Sequence, residues 1–104
     1  MKFGLKEDTI NKINSVFSKF PEIEEVIIYG SRAKGNYREG SDIDITLKGA
    51  QVTDSILSKV SMEIDDLNTP YLYDISVFHL LNSDSLTEHI NRVGLLFYVK
   101  EASK

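Results

Sequence analysis

"IIYGSRAKGNYREGSDIDITLKG", Ile27 to Gly49, joins two patterns that decide the fold. Its first part completes "EVIIYG", a short apolar, β-branched run that stops at a glycine and reads as a buried strand. Its last part, "SDIDITLKG", alternates strictly, with Ile43, Ile45 and Leu47 on one face and Asp42, Asp44 and Thr46 on the other. That is the pattern of a half-buried strand. Two aspartates leaving one strand face repel each other and are poor strand formers, so this local cost calls for a reason.

Outward from this stretch the periods change in a readable order. Ile10, Ile13, Phe17 and Phe20 recur at helical spacing from about Lys6, and Pro21 halts that helix. Thr53 suits an N-cap, and Ile56, Leu57, Val60, Ile64 and Leu67 mark a second helix that ends in the turn Asn68-Thr69-Pro70. "YLYDISVF" alternates again, predicting a third strand with Tyr73, Ile75 and Val77 inward and Asp74 and Ser76 opposite. Ser85 followed by Glu88 has the form of a capping box, opening a helix through about Val93 with Gly94 suited to its end. "LLFYVK" reads as a short final strand. The order α-β-β-α-β-α-β predicts an α+β fold, a mixed β-sheet of about four strands with helices packed against it.

The chain has 104 residues without repeat, linker or low-complexity segment, so one domain spanning 1–104 is expected. A hydrophobic content of 41% is enough for one core. The absence of cysteine excludes disulfides and thiolate metal sites, and agrees with a cytoplasmic location. The polar N-terminus "MKFGLKEDTI" does not read as a signal peptide, and no apolar run approaches the length of a membrane span. A net charge of −4 argues against direct nucleic-acid binding, which needs a basic footprint. A ligand carrying Mg²⁺ escapes that objection.

Gly30 permits a tight turn at the end of the first strand, and Ser31 can open a short helix through "SRAK" to Gly35. The backbone N–H groups of such a turn suit a phosphate, with the Ser31 hydroxyl beside them and Arg32 and Lys34 adding positive charge. Asp42 and Asp44, two residues apart on a strand, have Cα atoms about 6.6 Å apart and can share one divalent ion. Mg²⁺ favours a few carboxylates plus substrate phosphates and water over a cage made of protein alone. Asp74 can join them if its strand is adjacent, and three carboxylates can hold two metals. A Gly-Ser turn alone, or an Asp-x-Asp pair alone, is usually ordinary surface polarity; the conjunction carries the reading.

Gly30-Ser31, ten residues, then Asp42-Ile43-Asp44 resembles the signature of the DNA polymerase beta-like nucleotidyltransferase superfamily. The fuller form, "GSRAKG" followed by "SDIDI", resembles its minimal nucleotidyltransferase (MNT) branch over nearly the whole chain. The resemblance implies that Asp42 and Asp44 bind Mg²⁺, that Asp74 is the third carboxylate and the base, and that Gly30 and Ser31 hold the triphosphate of ATP. Arg32, Lys34 and Ser41 complete the expected nucleotide contacts. It further implies a separately encoded helical partner of the HEPN class (higher eukaryotes and prokaryotes nucleotide-binding), often a ribonuclease toxin. The chain would then be the antitoxin, transferring AMP to a tyrosine of that toxin. Because the sequence ends soon after its fourth predicted strand, the acceptor surface is expected from that partner.

His79 and His89 have no partner at metal spacing and read as ordinary satisfied or exposed histidines. The tyrosines read as core or strand residues, although Tyr37 and Arg38 precede Ser41 in a loop able to touch a nucleotide. Asp65-Asp66, at a helix end, reads as solvated. Two other functions compete with transfer to a toxin: masking a partner by contact alone with a vestigial nucleotide site, and transfer to a small-molecule acceptor.

Overall fold

The computed structural model describes residues 2–101. The elements run α1 (Glu7–Ser18), β1 (Glu25–Tyr29), α2 (Ser31–Lys34), β2 (Ile43–Lys48), α3 (Asp54–Asp65), β3 (Tyr73–Val77), a 3-10 turn (Phe78–Leu80), α4 (Asp84–Val93) and β4 (Leu95–Val99). The four strands form one mixed sheet in the order β3-β2-β1-β4. β1 is antiparallel to both of its neighbours, while β2 and β3 are parallel. A parallel neighbour needs a crossover, and the twelve-residue helix α3 supplies it.

The alternation of β2 acts as expected on its apolar side. Ile43, Ile45 and Leu47 are fully buried, as are Val26 and Ile28 of β1. Onto that face pack Ile13, Val16 and Phe17 of α1 and Val60 and Ile64 of α3, with Phe97 of β4 closing the cluster. Phe17 meets the Phe97 ring edge-on, with centroids 6.3 Å apart. These residues form one core on the face of the sheet covered by α1 and α3.

The other face is where expectation and structure part. Thr46, placed with the aspartates by its period, is completely buried, and its hydroxyl accepts a 2.9 Å hydrogen bond from Ser76. On the same side of the sheet α4 lies over β1. The ring of its His89 stands edge-on to Tyr29, and its end at Gly94 abuts Ile27. Gly94 does not adopt the left-handed conformation expected of a helix-ending glycine, since its φ is −68°. It is needed for room: a Cβ there would lie 2.4 Å from the Ile90 carbonyl and 2.5 Å from Ile27.

The cap of α4 also differs from the sequence reading. Ser83, not Ser85, is the N-cap, and its hydroxyl accepts the Leu86 N–H at 3.2 Å. The run Ser83-Asp84-Ser85 offers competing caps, and the helix takes the one that starts it a turn fraction earlier. Thr53 caps α3 as expected, accepting from Ile56 N–H at 3.2 Å. Ser83→Ala should therefore destabilise the chain by about 1 kcal/mol in urea unfolding, whereas Ser85→Ala should be close to neutral. Equal effects would mean that the two serines share the cap.

Candidate active site

The parallel pairing of β2 with β3 sets Asp44 directly beside Asp74, and the antiparallel pairing of β1 with β2 sets Tyr29 on the other side of Asp44. Cross-strand partners point to the same face, so Tyr29, Asp44 and Asp74 form one row across three strands. The next row is Ile27, Thr46 and Ser76. Neighbouring strands lie about 4.8 Å apart, so the two carboxylates leave the sheet at close quarters. Asp42, just before β2, and Asp74 are exposed, while Asp44 is half-buried.

Gly30 ties this row to the turn after β1. Its φ of 74° and ψ of −154° belong to a region that glycine alone occupies without strain. A Cβ on Gly30 would lie 2.5 Å from Asp44 Oδ2, so the backbone of the turn passes directly over the carboxylate. From there α2 runs to Gly35, which caps it in the left-handed conformation with φ 86°. The first N–H groups of a helix have no intrahelical acceptor. Those of α2 thus begin beside the aspartate row, and Lys34 is exposed at its far end.

The electrostatics follow from this crowding. Burial, then the Asp74 charge, then the Asp42 charge hold the Asp44 carboxyl above its ordinary pKa. Tyr29 is a buried residue, and the pKa of its hydroxyl is also raised, first by burial and then by Asp74, with Asp44 adding a smaller push against a lowering by Ser76. Each of these groups would be eased by a cation above the row. Among the described residues no three His, Cys, Asp or Glu side chains are already drawn together closely enough to hold a metal. The donor set still suits a hard divalent ion: oxygen ligands only, two of them in register, in a neighbourhood short of positive charge.

Two expected nucleotide contacts are placed differently. Arg32 is 3% exposed and does not offer its charge to solvent. Its Nε and Nη2 both donate to the Ser41 carbonyl, at 3.1 and 2.8 Å, and its Nη1 donates to the Phe3 carbonyl at 2.8 Å. The rings of Tyr37 and Tyr71 lie 5.3 and 5.1 Å from its guanidinium carbon. Ser41 is a loop-closing residue: besides that carbonyl, its hydroxyl accepts the Arg38 N–H at 2.8 Å. Sequence reasoning gave these two residues to the nucleotide because charge and hydroxyl content say nothing about burial.

Ser76 shares this face with Asp74 as its alternation predicted, whereas Tyr29 and His89 were missed as members of it. Alternation of "EVIIY" separates Tyr29 from Val26 and Ile28, but only the register places it beside Asp44. His79 is satisfied as expected, with its Nε2 2.8 Å from the Val52 carbonyl. A hollow of about 710 Å³ lies between α1 and β4 and is lined by Phe3, Ile10, Asn14 and Phe97 among others. It holds none of the aspartates. Asp42 and Asp74 lie outside it, exposed to solvent.

The family described as polymerase beta, nucleotidyltransferase matches residues 11–103. A Methanocaldococcus jannaschii chain provisionally named a protein adenylyltransferase is 37% identical over 60 residues, covering 50% of this chain and 61% of that one. The match thus spans less than two thirds of that relative. Among solved structures, a toxin–antitoxin complex with AMP-PNP superposes with a TM-score of 0.70 at 18% identity, covering 93% of this chain and 76% of that chain. A Shewanella oneidensis complex of an MNT antitoxin with its tri-AMPylated HEPN toxin gives 0.65 at 18% identity, over 92% and 74% of the two chains. At such identities the likeness is one of fold, and no helix among the described residues is long and apolar enough to cross a membrane. The family match covers far more than half of the sequence and includes both the Gly30-Ser31 turn and the aspartate row, so the chain belongs to the polymerase beta nucleotidyltransferase family.

Proposed function

We propose that this chain is a Mg²⁺-dependent nucleotidyltransferase that moves AMP from ATP to a hydroxyl of a HEPN-class helical toxin, a tyrosine being the expected acceptor, and that it serves as the antitoxin. The observation that carries the reading is the placement of Asp44 between Asp74 and the Gly30 turn. The toxin–antitoxin pairs of similar fold, one of them with an AMPylated toxin, support the choice of partner.

In this reading Asp42, Asp44 and Asp74 hold Mg²⁺, two ions at full occupancy. Bound there, the metal supplies Lewis-acid neutralisation of the triphosphate charge. The Gly30 and Ser31 backbone seats the phosphates, and exposed Lys34 offsets their charge from the far end of α2. The acceptor hydroxyl approaches over exposed Asp74, which takes its proton at a carboxylate oxygen. The acceptor oxygen forms a bond to the α-phosphorus as the bond from that phosphorus to the bridging oxygen breaks, and pyrophosphate leaves. Tyr29 and α4 wall the buried side of the row against water.

Incubation with the helical partner, ATP and Mg²⁺ should add adenylate mass to a partner hydroxyl, and the modified partner should stay inactive after this chain is removed. Masking by contact predicts unchanged mass and recovery on dissociation, and that outcome would overturn the transferase reading. Calorimetry offers a second check. ATP should bind about tenfold or more weakly in chelator than with Mg²⁺, because the triphosphate then faces uncompensated aspartates, and tenfold is about 1.4 kcal/mol. Equal affinity would sink the metal assignment.

A further inference from the structure

We propose that Arg32 is the positioning residue of this site, a buried clamp that sets Asp42 against the Gly30-Ser31 turn. The inference rests on the proposed reading of Asp42 as a metal ligand. Arg32 sits in α2, one residue beyond Ser31, and its guanidinium reaches three other segments. Nε and Nη2 converge on the Ser41 carbonyl, which belongs to the peptide unit leading into Asp42. Two donors from one rigid plane fix both the position and the tilt of that peptide. Nη1 holds the Phe3 carbonyl of the N-terminal turn. Tyr71, three residues before Asp74, and Tyr37 of the loop lie against the guanidinium. One side chain thereby links the turn, the loop carrying Asp42 and the approach to the strand carrying Asp74.

The surroundings leave little slack. Gly4 has φ 72°, and a Cβ on it would lie 2.3 Å from the Tyr37 ring and 3.0 Å from Arg32 Nη1. A lysine at position 32 would retain the charge and lose the clamp, because an ammonium is a point charge without a planar fork of donors. A surface role in phosphate binding would tolerate that exchange. A positioning role would not.

The test compares the full-length wild-type chain with Arg32→Lys in three measurements: thermal melting, native-state trypsin cleavage after exposed Arg38, and calorimetry with ATP in chelator and in Mg²⁺. The variant should be cleaved after Arg38 severalfold faster. Its affinity for ATP in chelator should match wild type within about twofold, while its Mg²⁺ affinity at saturating ATP should fall by about tenfold or more, the usual effect of removing a group that orients a metal ligand. Wild-type cleavage together with wild-type Mg²⁺ affinity would overturn the proposal. So would a loss of metal-free ATP affinity with unchanged cleavage, which would return Arg32 to the phosphates. If wild type itself showed no Mg²⁺-dependent binding, the metal reading of the aspartates would fail, and the cleavage comparison alone would decide whether Arg32 holds the loop. Should Arg32→Lys melt far below wild type, Tyr37→Leu takes its place, since it removes one aromatic contact from an exposed position. The same two shifts are then expected at smaller size, and their absence would count equally against the clamp.

Discussion

Asp44→Asn should abolish adenylate transfer and at the same time raise the melting temperature of the free chain. The two effects have one origin. Asp44 is half-buried, set in register with Asp74 and close to Asp42, so its ionised form is disfavoured by burial and by both charges. In the proposed reaction those charges hold Mg²⁺, whose stabilisation of the transferring phosphate is worth several kcal/mol, or about three orders of magnitude in rate. An amide removes the charge while keeping shape, so rate falls and repulsion is relieved together.

The pH dependence gives the sign a second check. A carboxyl whose pKa is higher in the folded than in the unfolded chain contributes stability in acid that is lost as pH rises through its folded value. The advantage of Asp44→Asn over wild type should therefore be absent well below the ordinary carboxylate range and present at neutral pH. Thermal melts across that range, without divalent metal, would measure it. Transfer near the wild-type rate would remove Asp44 from the metal site, and a lowered melting temperature at neutral pH would make it a structural residue.

Gly30→Ala is expected to be the most damaging single methyl group on this face. The residue holds φ 74° and ψ −154°, a region that costs a residue with a Cβ roughly 1–3 kcal/mol. For a domain of this size each kcal/mol lowers the melting temperature by about 4–8 °C, so a fall of about 5–20 °C is expected. The added methyl would also stand 2.5 Å from Asp44 Oδ2, forcing the carboxylate to swing away from its place beside Asp74. Activity should consequently be lost even at temperatures where the variant is folded.

A double-mutant cycle separates the two costs. If the methyl collides with the carboxylate, Gly30→Ala will destabilise an Asp44→Ala background less than it destabilises wild type. If backbone strain is the whole effect, the penalties will add. Active, well-folded Gly30→Ala would contradict both parts of the argument.

The sequence by itself determined the elements and one face of the sheet. Helix and strand periods are local properties of the chain, so Ile43, Ile45 and Leu47 declare a buried face whatever lies beyond them. Glycine at the end of "EVIIY" and Asp-x-Asp twelve residues later were equally legible, because turn chemistry and like-charge crowding need no distant partner. Long-range facts were not legible in this way. Whether Asp74 belongs with Asp44 depends on strand order, and only the crossover of α3 makes β2 and β3 parallel neighbours in a register that pairs them. Thr46 was written into the same alternation as Asp44 yet is buried, and Tyr29, read as part of an apolar run, is covered by His89 of α4, an element far along the chain. Arg32 shows the limit most sharply. Its charge pointed to solvent and phosphate, and the fold spends it on carbonyls from both sides of the chain, at Phe3 and Ser41. A side chain's type sets what it can bind, while burial and the carbonyls that tertiary contacts bring to it decide what it does bind.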